Sequence, residues 1–187
     1  MPNVNIEIIN KDENQIGEII VSGPNIMLGY YKDEEKTNEV LKDGHFYTGD
    51  LGYIDAKGNL FITGRKKDMI VLKNGKKIFP DEIETVVNRL EIVKESMVFG
   101  LPDKNDPSDI QVAIKIVYDD DIRKKEYAGL TDEEFREKIW GEIKKINQTF
   151  PMYKYIKHMI LTDEELIKTT TKKIKRKEEL DKILSKM

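Results

Sequence analysis

The spacing of apolar residues changes near residue 65, and this change constrains the fold more than any other feature. Before it, short strand-like runs alternate with polar and glycine-containing turns, as in a small antiparallel or barrel-like unit. These runs are "VNIEII", "GEIIVSG" and "GNLFITG". After it, segments with helical spacing appear between strands. The sequence therefore predicts an α+β chain, with a β-rich, barrel-like subdomain over residues 1–66 and an α+β domain over residues 67–187.

Two segments after residue 66 have the periodicity of amphipathic helices. The first, "FPDEIETVVNRL", carries Pro80 and two acids in its first turn, where a fixed φ and negative charge are both favourable. The second, "TDEEFREKIWGEIKKINQTF", begins with a capping box of Thr131 and Glu134. A further helix is expected in "EELDKILSKM" at the end of the sequence. The predicted apolar faces are Ile83, Val86, Val87 and Leu90 in the first helix, and Phe135, Ile139, Ile143 and Ile146 in the second.

Strands are predicted between these helices. "SMVFGL" is a short apolar run, and in "IQVAIKIVYD" the residues Val112, Ile114, Ile116 and Tyr118 alternate with others. The segment "YDDDIRKKEYAGL" that follows is expected to be an exposed loop.

The composition indicates a folded protein without a strong electrostatic preference for one class of partner. Hydrophobic residues make up 39% of the chain, and 32 Lys and Arg nearly balance 35 Asp and Glu. A net charge of −3 creates no field that would attract nucleic acid or an anionic membrane. There is no cysteine, no signal-peptide core and no apolar run of transmembrane length. We therefore expect a cytoplasmic protein with no nucleic-acid partner and no transmembrane segment.

Several kinds of catalytic site are excluded because their residues are missing. The chain has no Walker loop, no G-x-G-x-x-G, no H-E-x-x-H and no G-x-S-x-G elbow. The two histidines, His45 and His158, lie far apart in sequence and are expected at the surface or in packing contacts. No metal site is predicted.

The segment "FYTGDLGYID" places one acid, Asp50, directly after a Thr-Gly pair. Taken alone, the tripeptide is typical of a turn, because glycine reaches backbone angles closed to other residues and aspartate bonds its own backbone. Its context favours a functional interpretation.

Four motifs in order resemble those of the acyl-adenylate-forming superfamily, which includes acyl-CoA ligases, adenylation domains of peptide synthetases, and luciferases. "GEIIVSGPNIMLGYY" is similar to the family's G-E-[IL]-x-[IV]-x-G motif, and "FYTGD" to its aromatic-x-T-G-D motif. "GRKKDMIVLKNGKKIFPDEIE" resembles the hinge motif, and "KTTTKKIKR" a divergent K-T-x-x-G-K-[IL]-x-R. The hinge segment looks most like that of fatty-acyl-CoA ligases.

The resemblance implies roles for four residues in the first three motifs. Asp50 would hold the ribose hydroxyls of ATP and of the acyl-adenylate, since a carboxylate can accept hydrogen bonds from two adjacent hydroxyls. Arg65 would approach the same ribose. Lys67 would be the hinge about which the small C-terminal domain swings between two poses. Gly75 would lie beside the path of the pantetheine arm, where a missing side chain allows close approach.

For the fourth motif, the resemblance implies that Lys173 reaches the substrate carboxylate and the α-phosphate during adenylation. The sequence departs from the motif, because Lys172 stands at the glycine position and Ile167 at the usual proline. If the loop uses a left-handed backbone at residue 172, a lysine there costs on the order of 1 to 2 kcal/mol. Lys172 and Lys175 are then rivals of Lys173, and a solvated basic tail is the remaining alternative.

The implied activity joins a carboxylic acid, expected to be a fatty acid, to ATP and then passes the acyl group to CoA or to a carrier-protein pantetheine. The chain resembles only the last portion of such an enzyme. It is therefore expected to be an inactive fragment, with the Mg²⁺ that accompanies ATP bound by the N-terminal part. Two alternatives stay open: a non-catalytic module that binds a carrier or partner, and an adenylation domain or luciferase-like member of the same superfamily.

Overall fold

The computed structural model describes residues 3–186 and confirms the α+β fold class. The chain divides into two compact units between Met69 and Ile70, close to the predicted boundary at residues 66 and 67. The strands are β1 (Asn5–Ile9), β2 (Gly17–Ser22), β3 (Leu41–Lys42), β4 (His45–Ile54), β5 (Leu60–Arg65), β6 (Ile70–Val71), β7 (Lys77–Ile78), β8 (Val93–Pro102), β9 (Ile110–Tyr118) and β10 (Ile156–Thr162). The α-helices are α1 (Glu34–Val40), α2 (Pro80–Val87), α3 (Asp120–Glu126), α4 (Asp132–Asn147) and α5 (Arg176–Leu184).

The first unit is built on an antiparallel sheet of five strands. Its order is β1-β2-β4-β3, and β5 pairs with the C-terminal half of β4. The three predicted runs correspond to β1, β2 and β5. Strand β4, the longest of this unit, is not predicted by its sequence, because Thr48, Gly49 and Asp50 are typical turn residues. Helix α1, which begins after the N-cap Asp33, was also not predicted.

The second unit contains a three-stranded sheet, β10-β9-β8, with helices on both faces. Strand β9 is central, and it pairs antiparallel with β8 and parallel with β10. The side of β9 that carries Ile114 and Ile116 packs against α2 and α4. The side that carries Ala113 and Val117 packs against α5 and Leu166. Both faces of β9 are therefore buried, although the alternating apolar residues of its sequence predict only one buried face.

The helix predictions were largely correct in the second unit. Phe135, Ile139 and Ile143 are buried, and the capping box of Thr131 and Glu134 is present. In α2, Ile83 and Val87 are buried and Val86 is partly buried, as is Leu90, which lies beyond the end of the helix. The predicted helix "FPDEIETVVNRL" ends earlier than expected, at Val87.

Two elements of the second unit contradict or extend the sequence analysis. The expected loop "YDDDIRKKEYAGL" contains α3, whose first turn is capped by the side chain of Asp119. Strand β10 was not predicted. Across residues 3–186, no helix combines the length and the apolar character that crossing a membrane requires.

Candidate functional site

The Thr-Gly-Asp segment lies inside β4 as a bulge, and not in the turn that the tripeptide taken alone suggests. Thr48, Gly49 and Asp50 stand opposite the single residue Ile19 of β2. Gly49 has a φ of +70°, which a side chain would strain. The Thr48 hydroxyl donates to the Ile19 carbonyl (2.8 Å) and accepts from the Asp50 N–H (3.0 Å). These bonds fix the direction in which Asp50 leaves the strand.

The structure brings Asp50 and Arg65 together. They are paired across β4 and β5, and Arg65 Nε lies 2.9 Å from Asp50 Oδ1. The Asp50 side chain is 28% exposed and that of Arg65 is 51% exposed, so this ion pair contributes at most about 1 kcal/mol to folding. An accessible carboxylate held beside a guanidinium group can still accept hydrogen bonds from a ligand. The geometry is compatible with the ribose role predicted for both residues, which stays a prediction.

A second ion pair of the first unit was missed by the sequence analysis. Lys66 Nζ donates to Glu18 Oε2 (2.7 Å), and Glu18 is buried. Glu18 belongs to the "GEIIV" motif, and Lys66 opens a 3₁₀ turn over Lys66–Asp68. The pair therefore fixes the residue that immediately precedes Lys67. The hinge function of Lys67 stays a prediction.

Gly75 lies in the tight turn between β6 and β7 of the second unit. Its φ is +79°, and its N–H donates to the Leu72 carbonyl at 2.8 Å. Apart from Gly75 itself and its two chain neighbours, no described residue has an atom within 4 Å of the position that a Cβ would occupy, so the space in front of the turn is open. The three residues before Gly75 border a cavity of about 360 Å³. Its lining consists of Leu72, Lys73, Asn74, Asp109, Ile110, Gln111, Val112, Met152, Tyr153, Tyr155 and Lys157.

The segment from Ile167 to Lys175, here called the lysine loop, is a hydrogen-bonded hairpin. The Lys175 N–H donates to the Ile167 carbonyl (2.8 Å), and the Thr169 N–H donates to the Lys173 carbonyl (2.8 Å). The Lys173 N–H in turn donates to the Thr169 hydroxyl (3.1 Å). Lys172 has a φ of +61°, so the left-handed backbone of the family's glycine is present with a lysine in it.

The lysines of this loop differ in their partners. Lys168 Nζ lies 3.1 Å from Glu95, and Lys175 Nζ lies 2.9 Å from Glu178. Lys172 and Lys173 are exposed, and within residues 3–186 neither ammonium group has an ion-pair partner. Lys175 is therefore the weakest of the three rivals, because its charge is already compensated.

The lysine loop is joined to α2 by a pair that sequence reasoning did not identify. Arg176 forms a two-pronged interaction with Glu84, with distances of 2.8 and 2.6 Å. Glu84 is buried and also accepts the Val98 N–H at 2.6 Å. Both charged residues are the last members of their motifs, "DEIE" and "KIKR". One signal in the sequence could have indicated this pair: Glu84 is a charged residue at a position that helical spacing assigns to the apolar side of α2.

Known proteins show what this arrangement is similar to. The model of one protein family, the AMP-binding enzyme C-terminal domain, matches residues 67–184. A probable 4-coumarate–CoA ligase of Dictyostelium discoideum is 35% identical over 95% of this chain and 30% of its own length. A long-chain-fatty-acid–CoA ligase of Bacillus subtilis is 46% identical over 46% of this chain and 15% of its own length.

A solved structure extends the similarity to three dimensions. The o-succinylbenzoate CoA synthetase of Bacillus subtilis, in complex with its acyl-adenylate intermediate, has a TM-score of 0.73 and 26% identity. The match covers 95% of this chain and 34% of that one, so the chain spans only about a third or less of the proteins it matches. The chain belongs to the AMP-binding enzyme family, and residues 67–184 form the C-terminal domain of that family.

Proposed function

We propose that this chain is the C-terminal part of an ATP-dependent acid–CoA ligase, called the parent ligase below. In the first half-reaction a carboxylate oxygen attacks the α-phosphorus of ATP, and pyrophosphate leaves. In the second, a thiol attacks the acyl carbon of the acyl-adenylate, and AMP leaves as the thioester forms. The CoA ligases among the relatives support this proposal.

The tip of the lysine loop is the observation that carries the proposal. Lys173 presents an exposed ammonium group on a loop that is internally hydrogen-bonded, and no residue in the described range 3–186 pairs with it. Both the carboxylate and the α-phosphate are anionic, so their approach requires a cation that is already in position. Such a cation stabilises charge in the transition state without the cost of ordering a flexible chain first.

Asp50 and Arg65 would act on the sugar of the nucleotide. We infer that Asp50 accepts hydrogen bonds from the ribose hydroxyls, each worth about 1.5–3 kcal/mol because the acceptor is charged. The Bacillus subtilis synthetase has also been solved with ATP and a magnesium ion. In the part of this chain that is described, no three His, Asp or Glu side chains are grouped to bind a metal. We therefore expect Mg²⁺ to bind through the phosphates and through residues outside this chain.

Gly75 and the neighbouring cavity would serve the second half-reaction. The open space in front of Gly75 would admit a narrow pantetheine arm. Lys157 and Lys73 border the cavity next to it, but Lys73 is already paired with Asp106 at 2.6 Å. A charge-assisted contact between a lysine of this cavity and a phosphate group would be favourable. CoA carries phosphates on its nucleotide, so we expect CoA to bind there better than a bare pantetheine does. A carrier-protein pantetheine is the competing acceptor.

We propose a fatty acid as the acyl substrate, because fatty-acid ligases recur among the relatives. Acid-dependent exchange of pyrophosphate into ATP by the parent ligase tests both reaction and substrate. Hexadecanoate should support exchange, whereas 4-coumarate and 2-succinylbenzoate, named in other relatives, should support little. Exchange with the aromatic acids alone would contradict the proposal of a fatty-acid substrate. The absence of exchange with every acid would contradict the proposed adenylation reaction.

The isolated chain should not form acyl-adenylate, since it spans only about a third or less of the ligases that it matches. Acyl-adenylate formation by this chain alone, measured with the same acids, would contradict that expectation. We also propose a cytoplasmic location, with which the lack of cysteine is compatible.

A further inference from the structure

A buried ion pair joins α5 to the central strand of the second unit. Lys115 lies in the middle of β9, and its Nζ donates to Glu179 Oε1 at 2.6 Å. The side chains are 5% and 0% exposed. Nothing in the activity proposed above uses this pair, and neither residue belongs to the motif segments that carry the predicted site.

The second oxygen of Glu179 holds the beginning of the lysine loop. Glu179 Oε2 accepts the N–H of Ile167 at 2.9 Å. Ile167 is the residue whose carbonyl accepts from Lys175, which closes the hairpin. One carboxylate therefore links the sheet, helix α5 and the base of the loop that carries Lys173.

Stability alone does not explain a pair of this kind. Removing two charges from water is costly, and a well-packed apolar pair of similar volume often stabilises a fold equally well. What an apolar pair lacks is a directed acceptor for a backbone N–H. The carboxylate can therefore fix the position of Ile167, which hydrophobic packing does only loosely.

We propose that Glu179 is a positioning residue for Lys173, an inference that rests on the adenylation proposed for the parent ligase. Lys115 compensates the buried charge of Glu179, and the second oxygen of Glu179 fixes the base of the lysine loop. Neither residue touches substrate. The opposite end of the loop is fixed by Arg176 and Glu84, so the ammonium group of Lys173 is presented from a hairpin anchored at both ends.

The test compares two double variants of the parent ligase that both remove the buried charges. Lys115→Met/Glu179→Leu removes the acceptor for the Ile167 N–H, whereas Lys115→Met/Glu179→Gln keeps an amide oxygen there. Lys182→Met, which removes an exposed ion pair of α5 with Glu164, is the matched control. Acyl-adenylate formation and thioester formation from supplied acyl-adenylate are measured separately, together with the thermal midpoint of each variant.

We expect the adenylation rate of the leucine variant to fall roughly 100-fold, which is the loss expected when a reacting group is displaced by about 1 Å. Its thioester formation should be unchanged. The glutamine variant should retain most of the adenylation rate, and Lys182→Met should retain all of it. Equal losses in both half-reactions would show a merely structural role and overturn the proposal, as would full adenylation by the leucine variant.

Hydrogen exchange in this chain provides a second readout that does not depend on activity. In the leucine variant the amides of Ile167, Thr169 and Lys175 should lose protection, while those of β9 keep theirs. Unchanged protection of the loop would overturn the proposal. A wild-type parent that shows no acid-dependent exchange of pyrophosphate would instead refute the proposed function, and amide exchange alone would then decide whether Glu179 orders the loop.

Discussion

Replacing Lys172 with glycine should make the lysine loop more stable. Lys172 has a φ of +61°, a conformation in which the Cβ of an L-residue crowds the following carbonyl oxygen. That crowding costs about 1–2 kcal/mol, whereas a glycine loses more entropy on ordering, by about 0.5–1 kcal/mol. The midpoints of the two ranges leave a net gain of about 0.75 kcal/mol, or roughly a 4-fold change in the opening equilibrium of the loop.

Native-state hydrogen exchange measures this equilibrium directly. The Thr169 N–H and the Lys175 N–H donate to carbonyls across the hairpin, at 2.8 Å each, and both should exchange more slowly in Lys172→Gly. Lys172→Ala is the control, because it removes the same charge and keeps a Cβ in the left-handed conformation. Its exchange should resemble that of the wild type. Faster exchange in the glycine variant, or equal effects of glycine and alanine, would refute the argument from backbone strain.

Three further predictions concern other parts of the chain. Asp50→Asn in the parent ligase should raise the KM for ATP by about 10- to 100-fold, which corresponds to one charge-assisted hydrogen bond, and an unchanged KM would contradict the ribose role. Gly75→Trp should block thioester formation while adenylation continues; loss of both would point to misfolding at the turn, where φ is +79°. Burial tends to raise the pKa of Glu179, but the hydrogen bonds from Lys115 and Ile167 outweigh it and lower that pKa from its ordinary value of 4.5. The pair therefore stabilises the fold above pH 4.5, and this contribution is lost as the pH falls through the lowered pKa of Glu179. In acid, the thermal midpoint of the wild type should therefore fall relative to that of Lys115→Met/Glu179→Leu. A difference between the two midpoints that does not change with pH would refute this.

Periodicity and capping chemistry were sufficient to predict much of the second unit. The stripe of Phe135, Ile139 and Ile143 predicted the buried face of α4, because a helix repeats every 3.6 residues whatever it packs against. The capping box of Thr131 and Glu134 predicted where that helix begins. Local rules succeed where local and tertiary preferences agree.

The predictions failed where tertiary contacts override local preference. Thr48, Gly49 and Asp50 favour a turn, yet two neighbouring strands hold them in a bulge of β4. The alternation in β9 was read for one face only, and the helix α5 that covers the other face is distant in sequence. Lys115 interrupts an apolar run, which is a signal of a buried charge, but its partner Glu179 could not be identified from spacing.

The candidate site was predicted from motif resemblance, and the structure adds the contacts around it. Resemblance placed Lys173 in the lysine loop and raised the question of Lys172. The structure shows the left-handed backbone at residue 172 and the different partners of the loop's lysines. No sequence rule relates a loop to charges that lie in other strands and helices, so the anchoring of the loop by Glu179 and Arg176 required coordinates.

The most direct test of the account is the rate of each half-reaction in the parent ligase carrying Lys173→Ala. Acyl-adenylate formation should fall by roughly 100- to 1,000-fold, as when one preorganised donor is removed from a transition state. Thioester formation from supplied acyl-adenylate should continue at the wild-type rate, and Lys172→Ala should change neither rate appreciably. Unimpaired adenylation by Lys173→Ala would contradict the account, and its loss in Lys172→Ala instead would assign the role to the neighbouring lysine.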